Sequence, residues 1–234
     1  MDKLQKYKPT DKMIDLIGDN YSLLQVMSRF GLSLGFGDKT VKEVCEMNNV
    51  DCQTFLVVVN FMAEGFSRMD GSADDISIPA LVDYLRQAHI YFLDYCLPAI
   101  RRKLIEAIDC SQDDVSFLIL KFFDGYMREV RKHMEYEEKT VFKYVDTLIH
   151  GNAPKNYQIS TFSKHHDQVG ERLTELKNII IKYCPAKDNT NVLNAALFDI
   201  YACEEGLESH CKVEDYLFVP AILKLERRMR ENEK

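Results

Sequence analysis

The stretch His133-Met134-Glu135-Tyr136-Glu137-Glu138-Lys139-Thr140-Val141-Phe142 sets the fold and the chemistry together. It holds no glycine or proline and shows no period-two alternation, so it reads as helix. On a helix, His133 and Glu137 stand one turn apart on the same face, with Cβ atoms about 5–6 Å apart. Val141 and Phe142 follow on, so the face turns toward apolar neighbours rather than water. The spacing recurs in His210-Cys211-Lys212-Val213-Glu214, which runs into Leu217, Phe218 and Val219 at similar offsets. Two inward imidazole–carboxylate pairs are what a two-metal site requires. Glu135 and Glu138 are expected to be solvated.

Outward from these pairs, the chain reads as all-α. Glycine and proline number only 10 and 6 in 234 residues, and no segment sustains strand alternation. Four long helical patterns follow one another. The first runs from about Pro79, a natural first-turn residue, to about Ile108. The second starts after Ser111-x-x-Asp114, continues to about Ile149, and is closed by Gly151-Asn152-Ala153-Pro154. The third spans about Ser160 to Tyr183 and stops at Cys184-Pro185, and the fourth runs from Asp188-Asn189-Thr190 to about Met229. Helices of about 25 residues are near 38 Å long, and joined by short turns they predict an up-down-up-down four-helix bundle over residues 77–234.

Residues 1–76 read as a small helical domain that precedes the bundle. Thr40-x-x-Glu43 is a capping box, Asp51 can cap the apolar run from Phe55 to Met62, and Gly31, Gly35 and Gly37 break the chain between helices. Val57, Val58 and Val59 are β-branched, yet Asn60, Ala63 and Glu64 beside them favour a buried helix. The polar run Asp70-Gly71-Ser72-Ala73-Asp74-Asp75 is the expected linker.

Charge and cysteine usage narrow the function. A formal charge of -7 and a pI near 5.4 argue against a phosphate-tracking surface, so no nucleic-acid partner is expected. No stretch approaches the ~20 apolar residues that span a bilayer, and the N-terminal stretch is polar, so neither membrane insertion nor export is expected. Seven scattered cysteines without a Cys-x-x-Cys spacing indicate neither a disulfide framework nor a zinc ribbon, and a reducing cytoplasm is the expected compartment. Cys211 neighbours His210, but adjacent helical residues point about 100° apart, so it should miss a site that His210 enters.

The six histidines distribute across the bundle. His89 falls on the first helix, His133 on the second, His165 and His166 on the third, and His210 on the fourth, with His150 at a helix end. Only one of the two neighbours on the third helix can point inward, and Val169 three residues on selects His166. The interior can then collect His89, His133, His166 and His210 with Glu137 and Glu214. Nitrogen and oxygen donors without thiolate suit iron or manganese, and across 3.5 to 4 Å, roughly, a carboxylate can bridge two ions.

On these residues the chain resembles the hemerythrin-like domains, and among them the RIC proteins, di-iron proteins that repair iron-sulfur centres damaged by nitric oxide or oxidants. His89 sits where that family has its first-helix ligand. His133-Met-Glu-Tyr-Glu137 resembles its His-x-x-x-Glu, His166-Asp167 followed by Gly170 its third-helix motif, and His210-x-x-x-Glu214 with Pro220 its last. The resemblance implies two iron ions joined by an oxo or hydroxo bridge, ligated by His89, His133, His166 and His210 and bridged by Glu137 and Glu214, with manganese or zinc ranking below iron. Oxygen-carrying hemerythrins have a fifth histidine where this chain has Gly170, which implies a more exposed or more reactive iron. The N-terminal block, around Arg29-Phe-Gly31 and Thr40 to Cys45, also resembles the small domain of those proteins. It departs from them in reading Leu32-Ser33-Leu34-Gly35-Phe36-Gly37 where they carry a Cys-Cys pair. That leaves docking or homodimer formation as the role expected of it.

Three functions share this site. A stress-defence protein would deliver iron or repair clusters, a sensor would bind O2 or NO reversibly and signal, and an enzyme would reduce nitric oxide or peroxide. The expected partners are accordingly O2, NO and damaged iron-sulfur proteins.

Overall fold

Local signals in the N-terminal region act as expected. The computed structural model describes residues 6–64, 76–108, 114–152, 157–164, 169–184 and 190–232. Helices α1 (Met13–Asp19), α2 (Leu23–Arg29), α3 (Val41–Met47) and α4 (Cys52–Glu64) come first. Thr40 accepts from the Glu43 backbone while Glu43 accepts from the Thr40 backbone, completing the capping box of α3. Asp51 caps α4, its Oδ1 accepting from the Thr54 N–H at 2.7 Å. Gly31, Gly35 and Gly37 all take positive φ, a conformation that costs other residues a Cβ clash. Val57, Val58 and Val59 lie buried in α4, where packing overrides their strand preference. The linker read at Asp70–Asp75 lies outside the described residues.

Four long helical segments follow. The first comprises α5 (Ile78–Ile90), a π-helical turn (Tyr91–Cys96) and α6 (Leu97–Ala107). The second comprises α7 (Asp114–Tyr136), a π turn (Glu137–Val141) and α8 (Phe142–Ile149). The third is α9 (Val169–Tyr183), and the fourth comprises α10 (Thr190–Val213), a π turn (Glu214–Phe218) and α11 (Val219–Asn232). Among the described residues there is no strand, so the chain is all-α. The third segment differs from expectation, because Ile159–Lys164 forms a 3-10 turn rather than the first turns of an α-helix. Serine and threonine are weak helix formers because their hydroxyls can offer nearby backbone groups an alternative to the helical ladder, and Ser160 and Thr161 open this stretch. The tight bond from Thr161 N–H to the Gln158 carbonyl marks the result. The start read at Ser111 and the caps read at Asp188 and Asn189 lie outside the described residues.

The chain divides into two compact units, Met1–Ala88 with Lys212–Lys234, and His89–Cys211. In the first unit Phe30 packs edge-on against Phe55, with centroids 5.4 Å apart, and against Tyr84 at 4.8 Å. Asn60 clips the chain start, accepting from Tyr7 N–H and donating to the Tyr7 carbonyl. Each such fully buried aromatic or aliphatic side chain contributes about 1.5–3 kcal/mol.

The second unit is the bundle. Arg101 grips the Asp124 carboxylate at 2.6 and 3.1 Å, while His89 meets Glu137. Numbering therefore rises along the first segment as it falls along the second, and the two are antiparallel. Lys103 with Asp199 and His89 with His210 make the first and fourth antiparallel too. The third is tied to the second by Arg172–Glu129 and to the fourth by Thr174–Glu204. Phe92, Leu104, Ile119, Phe123, Val130 and Ile200 fill the interior. No described helix is long and apolar enough to cross a membrane.

Candidate metal centre

Three π turns sit where the sequence places its chemistry. His89 lies just before the turn Tyr91–Cys96, and Glu137 and Glu214 each open one. In both carboxylate turns the Glu carbonyl accepts from the N–H five residues on, Phe142 in one and Val219 in the other. Widening the helix in this way inserts a residue and lets two adjacent apolar residues be buried together. Val141 and Phe142 are both buried after Glu137, and Leu217 and Phe218 after Glu214. Of the two His-x-x-x-Glu pairs, Glu137, His210 and Glu214 are buried and His133 is partly buried.

The side chains meet at close range. Glu137 is fully buried and lies between two imidazoles. Its Oε2 is 2.8 Å from His89 Nε2, and its Oε1 is 2.7 Å from His133 Nε2. The His89 ring stacks on Phe142, with centroids 5.5 Å apart and planes 12° from parallel. Its edge meets the ring of buried His210 at 5.2 Å. His89, Glu137, His210 and Glu214, all buried, each offer one ligand atom within 4.8 Å of the others. His133 joins this group through Glu137 and is only slightly exposed.

Glu138 corrects the sequence reading. Expected in solvent, it is half-buried, and its Oε1 lies 2.9 Å from His89 Nδ1. A carboxylate only accepts, so this bond puts a proton on Nδ1 and turns Nε2 toward Glu137. Such a carboxylate–imidazole pair is the usual second support of a metal-binding histidine. With Nδ1–H committed, Nε2 and the Glu137 oxygen can stand 2.8 Å apart only with a proton or a cation between them. Glu135 is also partly exposed, but it faces away from the histidines and pairs with Lys139 at 2.8 Å.

Electrostatics favour a charged Glu137. Burial pushes its carboxyl up, but hydrogen bonds from His133 and His89, with the charges of His133 and His210, outweigh burial and hold it well below the ordinary carboxylate range. Nearby, burial pushes the Tyr157 phenol up, as do Tyr136, whose hydroxyl is 3.3 Å away, Tyr144 and the charge of Glu137. The Tyr157 phenol therefore stays protonated at neutral pH.

The remaining expected residues fall elsewhere. His165 and His166 lie outside the described residues. His150 is exposed at the end of α8, bonded to the Asp146 carbonyl. Cys211 is half-buried and is not one of the four clustered residues. The sequence reading missed Glu138 and the π turns. The only signal for the turns was the pair of adjacent buried apolar residues that follows each carboxylate.

A set of imidazole and carboxylate donors without thiolate fits a hard or borderline cation such as iron or manganese. The buried carboxylates fit it as well, since a buried carboxylate is costly without a compensating positive charge. A family model described as the hemerythrin HHE cation binding domain matches residues 80–222. No curated protein matches the chain.

Proposed function

The chain belongs to the hemerythrin HHE cation-binding family, and on that premise we propose that it is a non-haem di-iron protein of nitrosative and oxidative stress defence, of the RIC type. In this reading His89, His133, His166 and His210, with Glu137 and Glu214, would hold two iron ions. The observation that carries it is Glu137, buried, with each carboxylate oxygen facing a different imidazole. A carboxylate so placed is disposed to bridge two ions rather than to chelate one.

When bound, iron would supply redox chemistry and open positions for O2 or NO. The chain's own residues do the rest. Glu138 fixes the tautomer and ring angle of His89, and Phe142 presses on that ring from its face. The protonated phenol of Tyr157, within the electrostatic reach of Glu137, offers a hydrogen-bond donor. Gly170, in place of a further imidazole, supports an open coordination position. Damaged iron-sulfur proteins are the proposed partners, the cytoplasm the proposed compartment, and residues 1–76 the proposed docking or dimerising part.

The test is recovery of an iron-sulfur enzyme inactivated by nitric oxide. The iron-loaded protein is expected to restore activity, and the Glu137→Ala variant is not. No recovery over buffer would sink the repair role. A stable reversible oxygen spectrum would instead favour the sensor, and rapid nitric oxide consumption with an electron donor would favour the enzyme.

A further inference from the structure

Away from the histidines the bundle carries a second layer of reactive side chains. Cys96 stands seven residues after His89, Cys203 seven before His210 and Tyr126 seven before His133. A step of seven in an α-helix is about two turns and returns near the same face, which puts Cys203 and Tyr126 about 10 Å along the helix from His210 and His133; Cys96 follows His89 across the π turn Tyr91–Cys96. All are buried, with exposures of 8% for Cys96, 2% for Cys203 and 1% for Tyr126. The Cys96 and Cys203 thiols are hydrogen-bonded to one another, and neither is in a disulfide.

Two further observations bear on this pair. The Tyr126 hydroxyl is buried with no hydrogen-bond partner among the described residues, and it lies within electrostatic reach of both sulfurs. The first and fourth segments run antiparallel, held by Lys103–Asp199 on one side of the thiols and His89–His210 on the other. Packed helices 8–10 Å apart, each with Cα atoms about 2.3 Å from its axis, leave facing Cα atoms roughly 3.4–5.4 Å apart. The upper part of that range, above about 4.4 Å, is one a disulfide spans.

We propose that Cys96 and Cys203 form a redox-active dithiol that a hydroperoxide converts to a disulfide joining the first and fourth helical segments. Cys96, the more exposed, reacts first. Its sulfur takes a hydroxyl from hydrogen peroxide, giving a sulfenic acid and one water. The Cys203 sulfur then attacks the Cys96 sulfur, and the hydroxyl leaves as a second water. Two thiols and one peroxide thus become one disulfide and two waters, with two electrons passing from sulfur to the peroxide oxygens. Tyr126 is placed to donate its O–H to the sulfenate oxygen in between. Because the thiolate is the nucleophile, and the hydrogen bond with Cys96 together with burial holds Cys203 as a thiol, the reaction should accelerate as pH rises.

The test uses the full-length reduced protein, as purified, exposed to hydrogen peroxide, alkylated in denaturant and mapped by non-reducing mass spectrometry. Expected is a cross-linked peptide pair containing Cys96 and Cys203, 2 Da lighter than its parts, formed faster at pH 9 than at pH 6.5. The oxidised wild type should melt at a higher temperature than the reduced form, and C96S should show no such difference. Three results would each overturn the proposal. In one, Cys96 and Cys203 stay fully alkylatable while Cys52 or Cys184 oxidises. In another, a link forms only between Cys45 and Cys52. In the last, both sulfurs reach the sulfinic state without a cross-link.

Discussion

At the scale of residues, the centre depends on His89 being held from two sides, by Glu138 at Nδ1 and Glu137 at Nε2. The Glu137→Ala variant is expected to lose most of its bound metal, while Glu135→Ala, which alters only an exposed pair with Lys139, keeps a wild-type content. Glu138→Gln, which removes a charge but no ligand, should lower metal affinity about 10–100-fold. Equilibrium dialysis of the three variants checks this, and equal content in all three would refute the assignment. The inward roles of Glu137 and Glu214 were legible because one-turn spacing and the following apolar residues suffice to orient a helix face. Glu138 was not, because its partner His89 lies on another helix and spacing along one chain carries no information about it.

At the scale of elements, the π turns bury Glu137 together with Val141, and Phe142 behind them covers the ring of His89. Replacing Phe142 by Ala should cost about 3–5 kcal/mol, read by denaturant titration, because a fully buried aromatic leaves a cavity that neighbours fill only in part. A loss under about 1 kcal/mol would mean that the ring is not a structural part of the site. The Arg101–Asp124 pair between the first and second segments gives a pH-dependent counterpart. Hydrogen bonds from Arg101 hold the Asp124 carboxyl below its ordinary range. A depressed carboxyl stabilises above its unfolded pKa of ~3.9, and that contribution fades as pH falls through the lower folded value. Asp124→Asn should therefore cost under about 1 kcal/mol at pH 7, since both side chains are partly exposed. The gap between wild-type and variant curves should begin to narrow below about pH 4 and close once pH falls below the depressed folded value, and a gap that does not narrow between about pH 5 and pH 2 would exclude this pair as its source. Helix existence was readable from sparse glycine and proline, and the caps at Thr40 and Asp51 from their side chains. The 3-10 turn at Ile159–Lys164 was not, because periodicity does not separate a short 3-10 turn from the first turns of an α-helix.

At the scale of the whole molecule, a bundle whose helices deliver buried imidazoles and carboxylates to one place gains stability from the cation it binds. Neutral imidazole is the metal-binding form, so metal should be lost as pH falls below histidine's reference value of ~6.5, with bound metal shifting the loss lower. Retention unchanged at pH 4, measured after desalting, would count against a histidine-rich site. The all-α architecture and the His-x-x-x-Glu pairs were legible in the sequence because both repeat at helical period. The packing of the N-terminal helices with Tyr84 and the thiol pair of Cys96 and Cys203 depend on contacts between residues distant in sequence, which no local pattern encodes. The central claim is a two-iron centre, and the most direct test is metal analysis of anaerobically purified full-length protein together with its ultraviolet–visible spectrum after exposure to air. Two irons per chain with absorption from an oxo-bridged pair are expected. One zinc per chain, or no stoichiometric metal, would contradict the account.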